Sequence, residues 1–146
     1  MIQLLRAAAA VFTAAGLLAL AANESQANPT QTPGASVRPS TANFKDMVLA
    51  VCISRYQQGQ AAADAASSAN ALVEWTRYDA ETSPDEINRM VNRFLGRQYR
   101  NPLGEQGGPV AEFNLLKCLD LYHSRELDAL TKRVVLPDIR PNRQNR

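Results

Sequence analysis

The first 27 residues have the pattern of a secretory signal peptide. Such a segment is cleaved off and takes no part in the fold, and it directs the rest of the chain to an oxidising compartment. Arg6 gives a basic start, an apolar run extends from Ala7 to Ala22, and Ser25-Gln26-Ala27 places small residues where a signal peptidase cleaves. The run is about 16 residues long, shorter than the roughly 20 that a membrane-spanning helix needs. We therefore expect cleavage after Ala27 and a periplasmic protein with no attachment to the membrane.

Export also makes a disulfide available to a small domain. Cleavage leaves about 119 residues, enough for one domain of marginal stability. The chain has two cysteines, Cys52 and Cys118, so only one pairing is possible. A bridge closing a loop of about 67 residues adds on the order of 4 kcal/mol in the chain-entropy model. The alternative is two buried free thiols; the periplasm favours the bridge.

Composition divides the exported part into three segments. Residues 28–43 are rich in Pro, Thr, Ser, Asn and Gly, which predicts a disordered leader. Residues 44–136 form the predicted helical domain, and residues 137–146 a flexible basic tail. The formal net charge is +2, and its excess lies mainly in that tail. Acids and bases nearly cancel in the domain, which argues against nucleic-acid binding.

Apolar residues recur at helical spacing, and no segment shows the sustained alternation of a strand. The sequence predicts an all-α fold, a compact bundle of about five helices stapled by one disulfide. The apolar stripe of the first helix extends from Phe44 to Tyr56. The second helix is an Ala-rich run from Ala61 to about Tyr78. A third begins at Ser83, where Pro84 and Glu86 complete the pattern of a capping box.

Two further helices complete the predicted bundle. The segment from Phe113 to His123 is apolar around much of its circumference, with Leu115, Cys118, Leu119 and Tyr122 on one face. Such a pattern is typical of a central, buried helix. Ser124 is the expected cap of the last helix.

The sequence offers no convincing catalytic, metal or cofactor site. A nucleophile built from His123 and a cysteine needs a thiolate, which a disulfide removes. No two potential ligands have a recognisable metal spacing, and the glycines of residues 104–108 precede no Lys-Ser or Lys-Thr of a phosphate loop. We therefore expect no enzyme.

Two features suit protein binding. One is a line of arginines on the outer side of the third helix. Asp85 has the spacing to pair with Arg89 but not with the other arginines. The other is the Gly/Pro-rich segment 101–111, long for a connection in a bundle. A solvated polar face and a tolerant loop are the alternatives. The candidate binding residues are Arg89, Arg93, Arg97, Arg100, Gly104, Glu105, Gln106, Gly107, Gly108 and Pro109.

Three stretches resemble a known family. They are Lys-Cys-Leu-Asp-Leu-Tyr-His-Ser-Arg-Glu-Leu at 117–127, Phe-Lys-Asp-Met-Val-Leu-Ala-Val-Cys-Ile-Ser at 44–54, and Glu74-Trp75 after the Ala-rich helix. Together they are similar to the immunity proteins that act against the fourth family of type VI secretion amidase effectors. The likeness covers most of residues 44–135.

The resemblance implies a periplasmic homodimer that binds and inhibits a peptidoglycan amidase, protecting the cell from its own or a sister's effector. It implies that a helix of one subunit grips the amidase and a protruding loop of the other blocks the active-site groove. Our candidates are the arginines of the third helix for gripping the amidase and residues 104–109 for blocking its groove. The motif residues Asp120, Tyr122, His123 and Glu126 are expected to hold the fold.

Two rival hypotheses remain at this point. An enzyme of unknown type requires free thiols. A periplasmic helical binding or chaperone-like protein with an unknown client requires an exposed apolar groove.

Overall fold

The computed structural model describes residues 30–108 and 111–138, apart from the side chain of Leu103. The predicted signal peptide, the start of the leader, Pro109 and the tail from residue 139 lie outside the described residues. A 3-10 helix at Gly34–Val37 precedes six α-helices: α1 (Ser40–Tyr56), α2 (Gly59–Val73), α3 (Ser83–Leu95), α4 (Pro102–Glu105), α5 (Asn114–Tyr122) and α6 (Arg125–Val134).

The predicted all-α fold is confirmed. Five helices have nine residues or more, and α4 is a single turn of four residues. Across the described ranges the only strand-like pairing is an isolated bridge between Tyr78 and Val135. No helix in these ranges is long and apolar enough to cross a membrane.

The core is built around α1, which packs against α2, α3, α5 and α6. Phe44, Val48 and Cys52 lie on its inner stripe and are fully buried. Cys52 forms a disulfide with Cys118 of α5, with 5.7 Å between their Cα atoms. The predicted bridge is therefore confirmed, and it joins two helices whose cysteines are 66 residues apart in sequence.

The domain begins earlier than the predicted boundary at Phe44. α1 starts at Ser40, whose hydroxyl donates to Asp138 Oδ1 at 2.5 Å. Asn43 is fully buried and donates from Nδ2 to the backbone oxygens of Ala35 (2.8 Å) and Trp75 (3.0 Å). The second half of the predicted leader is thus ordered, because polar groups hold it where no apolar period exists.

The predicted capping box at the start of α3 is wrong. Ser83 lies inside the helix, and its hydroxyl donates to the backbone oxygen of Asp79. The Asp79 carboxylate accepts from the backbone nitrogens of Glu81 (3.0 Å) and Thr82 (3.2 Å) and from the Thr82 hydroxyl. Hydrogen bonds from Thr82 and Glu81 lower the pKa of Asp79. Glu86 reaches across to Arg133 instead of capping its own helix.

The predicted cap of α6 is confirmed. The Ser124 hydroxyl accepts from the backbone nitrogen of Leu127 at 3.1 Å. This bond satisfies one of the free donors at the helix start.

The orientation of α5 differs from the prediction. Cys118 and Leu121 face the bundle, but Leu115, Leu116 and Leu119 are 52%, 45% and 38% exposed. Lys117 is instead buried, and its Nζ donates to the backbone oxygen of Leu95 at 3.1 Å. The helix is therefore a lateral element with an apolar outer side, and the prediction of a central helix is wrong.

Replacing both Cys52 and Cys118 with Ala should lower the free energy of unfolding by about 4 kcal/mol, because the open chain regains loop entropy. Denaturant unfolding monitored by circular dichroism measures the change. A reductant should lower the midpoint of the natural chain and leave that of the double variant unchanged. Equal midpoints for the oxidised natural chain and the variant would contradict this account.

Candidate binding surface

A charged groove of about 290 Å³ lies between α3 and α6. Two ion pairs join the helices across it, Arg93 with Glu126 and Arg133 with Glu86. Its apolar lining comes from Met90 and Leu130. The full lining is Glu86, Arg89, Met90, Arg93, Glu126, Leu130 and Arg133.

The four predicted arginines do not form one face. Arg89 and Arg93 line the groove, whereas Arg97 and Arg100 follow the end of α3 at Leu95. The Arg97 guanidinium carbon lies 3.4 Å from the centroid of the Phe94 ring, a stacked cation–π contact. The spacing in the sequence predicts all four arginines on one helix. Because α3 ends at Leu95, Arg97 and Arg100 lie beyond it.

Arg89 is the cation of the groove that has no acid of its own. It is exposed, and no ion pair among the described residues includes it. The predicted ion pair between Asp85 and Arg89 is therefore not among the ion pairs of the described residues. Its neighbour Arg93 is held by Glu126, with the two side chains 57% and 49% exposed. Exposed pairs of this kind stabilise a fold by about 1 kcal/mol or less, which is enough to favour one arrangement of the side chains before a partner binds.

The segment after α3 is more ordered than a simple loop. Arg100 forks onto Glu105, with Nε to Oε1 at 3.0 Å and Nη2 to Oε2 at 2.9 Å. Asn101 Oδ1 accepts from the backbone nitrogen of Gly104 at 3.1 Å and starts the turn α4. A Cβ on Gly104 would lie 2.8 Å from Asn101 Nδ2, so any other residue there would displace the Asn101 side chain.

The exposed part of this segment follows α4. Glu105, Gln106 and Gly107 are exposed, and Gly107 has a φ of 83° that L side chains rarely adopt. The hydrogen bonds between Arg100 and Glu105 lower the pKa of Glu105 and raise the pKa of Arg100. Residues 104–107 therefore form a projecting turn with a fixed base.

Asp120 and Tyr122, two of the motif residues of α5, form hydrogen bonds with other parts of the fold, and His123 packs on Tyr122. Asp120 accepts a hydrogen bond from the Tyr99 hydroxyl, which raises the pKa of Tyr99. The Tyr122 hydroxyl donates to Asp46 Oδ1 at 3.1 Å, and the His123 ring packs edge-on against Tyr122 with centroids 5.1 Å apart. Burial first, and then the hydrogen bond to Asp46, raise the pKa of Tyr122.

A set of polar contacts around α1 was not predicted. Lys45 Nζ lies 2.8 Å from Asp128 Oδ1 and 4.9 Å from the centroid of the Tyr122 ring. Arg38 pairs with Asp46 at 2.7 Å. The hydrogen bond and charge of Lys45 lower the pKa of Asp128. Lys45 and Asp128 are 83 residues apart, and no local pattern in the sequence indicates such a pair.

The described residues carry no group arranged for metal binding or for a cysteine nucleophile. Within residues 30–108 and 111–138, no three His, Cys, Asp or Glu side chains are placed to hold a metal ion. Both cysteines of the chain are in the disulfide, so neither supplies a thiolate.

Comparison with known proteins gives a family and a fold. A family model described as "Type VI secretion system (T6SS), amidase immunity protein" matches residues 42–131, in agreement with the resemblance. A Serratia marcescens structure, described under new type VI-secreted toxins and self-resistance proteins, is 26% identical over 79% of this chain and 91% of that chain, with a TM-score of 0.67. No curated protein sequence matches this chain.

Two structures of effector–immunity systems are also similar. One, of the Tae4/Tai4 system from Salmonella typhimurium, is 25% identical over 70% of this chain and 96% of that chain, with a TM-score of 0.61. Another, of the Tae4–Tai4 complex from Enterobacter cloacae, is 19% identical over 70% and 98%, with a TM-score of 0.57. At that identity the second likeness shows the fold alone.

The Glu105 carboxyl should titrate below the ordinary range of glutamate, and Arg100→Gln should return its pKa to that range. A folded-state pKa below the unfolded value means that the pair stabilises the turn above the unfolded pKa and is lost as the pH falls through the folded pKa. Carboxyl NMR shifts measured from pH 6 to about 2 report both values. Lys132→Gln is the control, since Lys132 has no contact with Glu105. Equal Glu105 pKa values in the natural chain and Arg100→Gln would contradict the pairing.

Proposed function

Because this chain belongs to the family of type VI secretion system amidase immunity proteins, we propose that it binds and inhibits a peptidoglycan amidase effector in the periplasm. The match over residues 42–131 carries this proposal, since it spans both cysteines and nearly the whole bundle. As a member of that family the chain is an immunity protein and not an enzyme.

The periplasm is supported by two independent features. The signal pattern of residues 1–27 directs export, and the buried bridge between Cys52 and Cys118 is of a kind that persists in oxidising compartments. A peptidoglycan amidase acts on the cell wall, so an inhibitor in the same compartment meets its target there. We also propose a homodimer as the active form, as the resemblance implies.

Inhibition requires a surface that is ordered before the partner arrives, because ordering side chains on binding costs affinity. In the groove between α3 and α6, the pairs of Arg93 and Arg133 with acids across the groove hold their guanidinium groups in place. Arg89 adds a planar fork of donors suited to a carboxylate. We assign to this groove the gripping of an acidic side chain of the amidase.

The projecting turn is the candidate for blocking the active-site groove. Its base is fixed by Arg100, Asn101 and Glu105, while Gln106 and Gly107 are exposed at its end. Gly107 lets the backbone turn at positive φ without a side chain, which suits entry into a narrow cleft. We assign the contacts of Asp120, Tyr122, His123 and Glu126 to holding the fold that positions both parts.

We expect the gene of the cognate amidase to lie beside that of this chain, and Arg89→Glu should weaken capture of that amidase. The substitution removes a fork and adds a repelling carboxylate to the groove, and a central arginine is worth about 2 kcal/mol, or about 30-fold in Kd. Isothermal titration calorimetry of the purified pair measures the change. Lys132→Glu is the matched control, since it alters the charge equally on the exposed part of α6 outside the groove.

The control should bind within about threefold of the natural chain, as a rim charge contributes little to affinity. Equal Kd values for the two variants would show that the groove is not used. No binding by the natural chain to that amidase would overturn the proposed function itself.

A further inference from the structure

Glu74 and Trp75 form a sequence motif to which the proposed function assigns no role. Trp75 is the only tryptophan of the chain, and it is half-buried just after the end of α2. It belongs neither to the core cluster of the described residues nor to the partly buried apolar side chains that pack on that cluster. The largest apolar side chain of the protein therefore lies outside the core, where the packing of the bundle does not explain it.

Trp75 lines a cleft of about 420 Å³. Small-molecule sites in proteins have volumes of roughly 300–1,000 Å³, so the cleft is large enough to hold a ligand. The segment that enters α1 forms one wall and includes Val37 and Pro39. The segment that follows α2 forms the other wall and includes Glu74, Trp75 and Arg77.

Hydrogen bonds within the fold fix the two walls relative to each other. Asn43 is fully buried, and its Nδ2 donates to the backbone oxygens of Ala35 at 2.8 Å and Trp75 at 3.0 Å. Ala35 precedes the first wall and Trp75 belongs to the second. The backbone nitrogen of Arg77 also donates to Ser40 Oγ at 3.3 Å. A cleft that is ordered in this way loses little conformational entropy when it binds a ligand.

The indole of Trp75 is available to such a ligand. Its Nε1 takes part in no hydrogen bond among the described residues, and its ring is in none of their aromatic or cation–π contacts. The N–H group of a buried tryptophan usually has an acceptor. This donor and the flat apolar ring beside it suit a ligand that has both an apolar face and oxygen acceptors.

The charges of the cleft favour an uncharged ligand. Two cations, Arg38 and Arg77, and two acids, Glu74 and Asp138, line it, so their formal charges cancel. The competing occupant is a cationic side chain of another protein, since the face of an indole attracts cations. The two arginines repel such a cation, and the two acids repel an anion. A neutral ligand avoids both penalties.

The same charged groups suit the hydroxyl groups of a ligand. A hydroxyl oxygen accepts from a guanidinium group, and a hydroxyl proton is donated to a carboxylate. Arg77 donates from Nη1 to the backbone oxygen of Pro137 at 2.5 Å, which leaves further donors of its fork. Glu74 is exposed, and no ion pair among the described residues includes it. The cleft therefore offers hydroxyl groups both a donor and an acceptor.

We propose that this cleft binds an uncharged saccharide, with one face of a pyranose ring stacked on the indole of Trp75. The C–H groups on such a face form a flat apolar surface, and the hydroxyl groups around its edge are both donors and acceptors. Trp75 supplies the stacking surface, Arg77 donates to hydroxyl oxygens, and Glu74 accepts from hydroxyl groups. This is a second binding function that needs no amidase, since the cleft shares no residue with the groove between α3 and α6.

The single tryptophan allows the cleft to be monitored by fluorescence. We titrate the chain that begins at Asn28 with the trimer of N-acetylglucosamine and with cellotriose, each to about 10 mM. A saturable change in the emission of Trp75 is expected, with matching heats in isothermal titration calorimetry. Saturation by one trimer alone assigns the site to that type of sugar, acetylated as in the cell wall or unsubstituted. No saturable change with either trimer would overturn the proposal.

Replacement of Trp75 separates stacking from a packing role. Trp75→Tyr keeps a flat ring and should bind the saccharide within about threefold of the natural chain, whereas Trp75→Leu should bind at least about tenfold more weakly, as when an aromatic stacking partner is lost. Calorimetry measures both, and circular dichroism with thermal melting verifies that each variant is folded. Equal dissociation constants for Trp75→Leu and the natural chain would overturn the stacking.

Arg77→Gln tests the polar part of the site and should weaken binding of the saccharide about fivefold. Arg125→Gln is the matched control, since Arg125 is an exposed arginine outside the cleft, and it should bind as the natural chain does. The N-acetyl amides of arginine and of glutamate test the choice of ligand, and both should bind more weakly than the saccharide. Tighter binding of the arginine derivative would indicate a protein segment as the occupant and overturn the proposal.

Discussion

The fully buried bridge between Cys52 and Cys118 fixes α1 against α5, and the packing of α5 on α3 and α6 depends on that position. α1 supplies the inner stripe on which α2, α3, α5 and α6 pack. With α5 held in place, Lys117 reaches the end of α3, and Asp120 reaches Tyr99 just beyond it. The same helix leads through Ser124 into α6, whose Glu126 closes the groove over Arg93. One covalent link in a domain of marginal size thus positions both the groove and the projecting turn.

The helices and the bridge could be predicted because their signals are local. Apolar spacing indicates helices, Ser124 indicates a helix start, and two cysteines in a chain with the pattern of a signal peptide allow a single pairing. The inward side of α5 could not be predicted, because spacing reports which residues are apolar and not where neighbouring helices lie. The start of α1 depends on Asp138, 98 residues away. The break in the arginine line follows from the end of α3 at Leu95, which the regular spacing of the four arginines conceals.

The binding account divides the surface by chemical character. The groove between α3 and α6 offers paired and unpaired guanidinium groups to an acidic partner, and remains solvated without one. The outer side of α5 is apolar, with three partly exposed leucines.

A growth assay tests the central claim most directly. The cognate amidase, whose gene we expect beside that of this chain, is exported to the periplasm of a test bacterium. It is tested with the full chain, with a chain lacking residues 2–27, or with neither. We expect lysis to be prevented by the full chain alone, because the truncated chain stays in the cytoplasm. Lysis that proceeds equally with the full chain present and detected in the periplasm would contradict the proposed function.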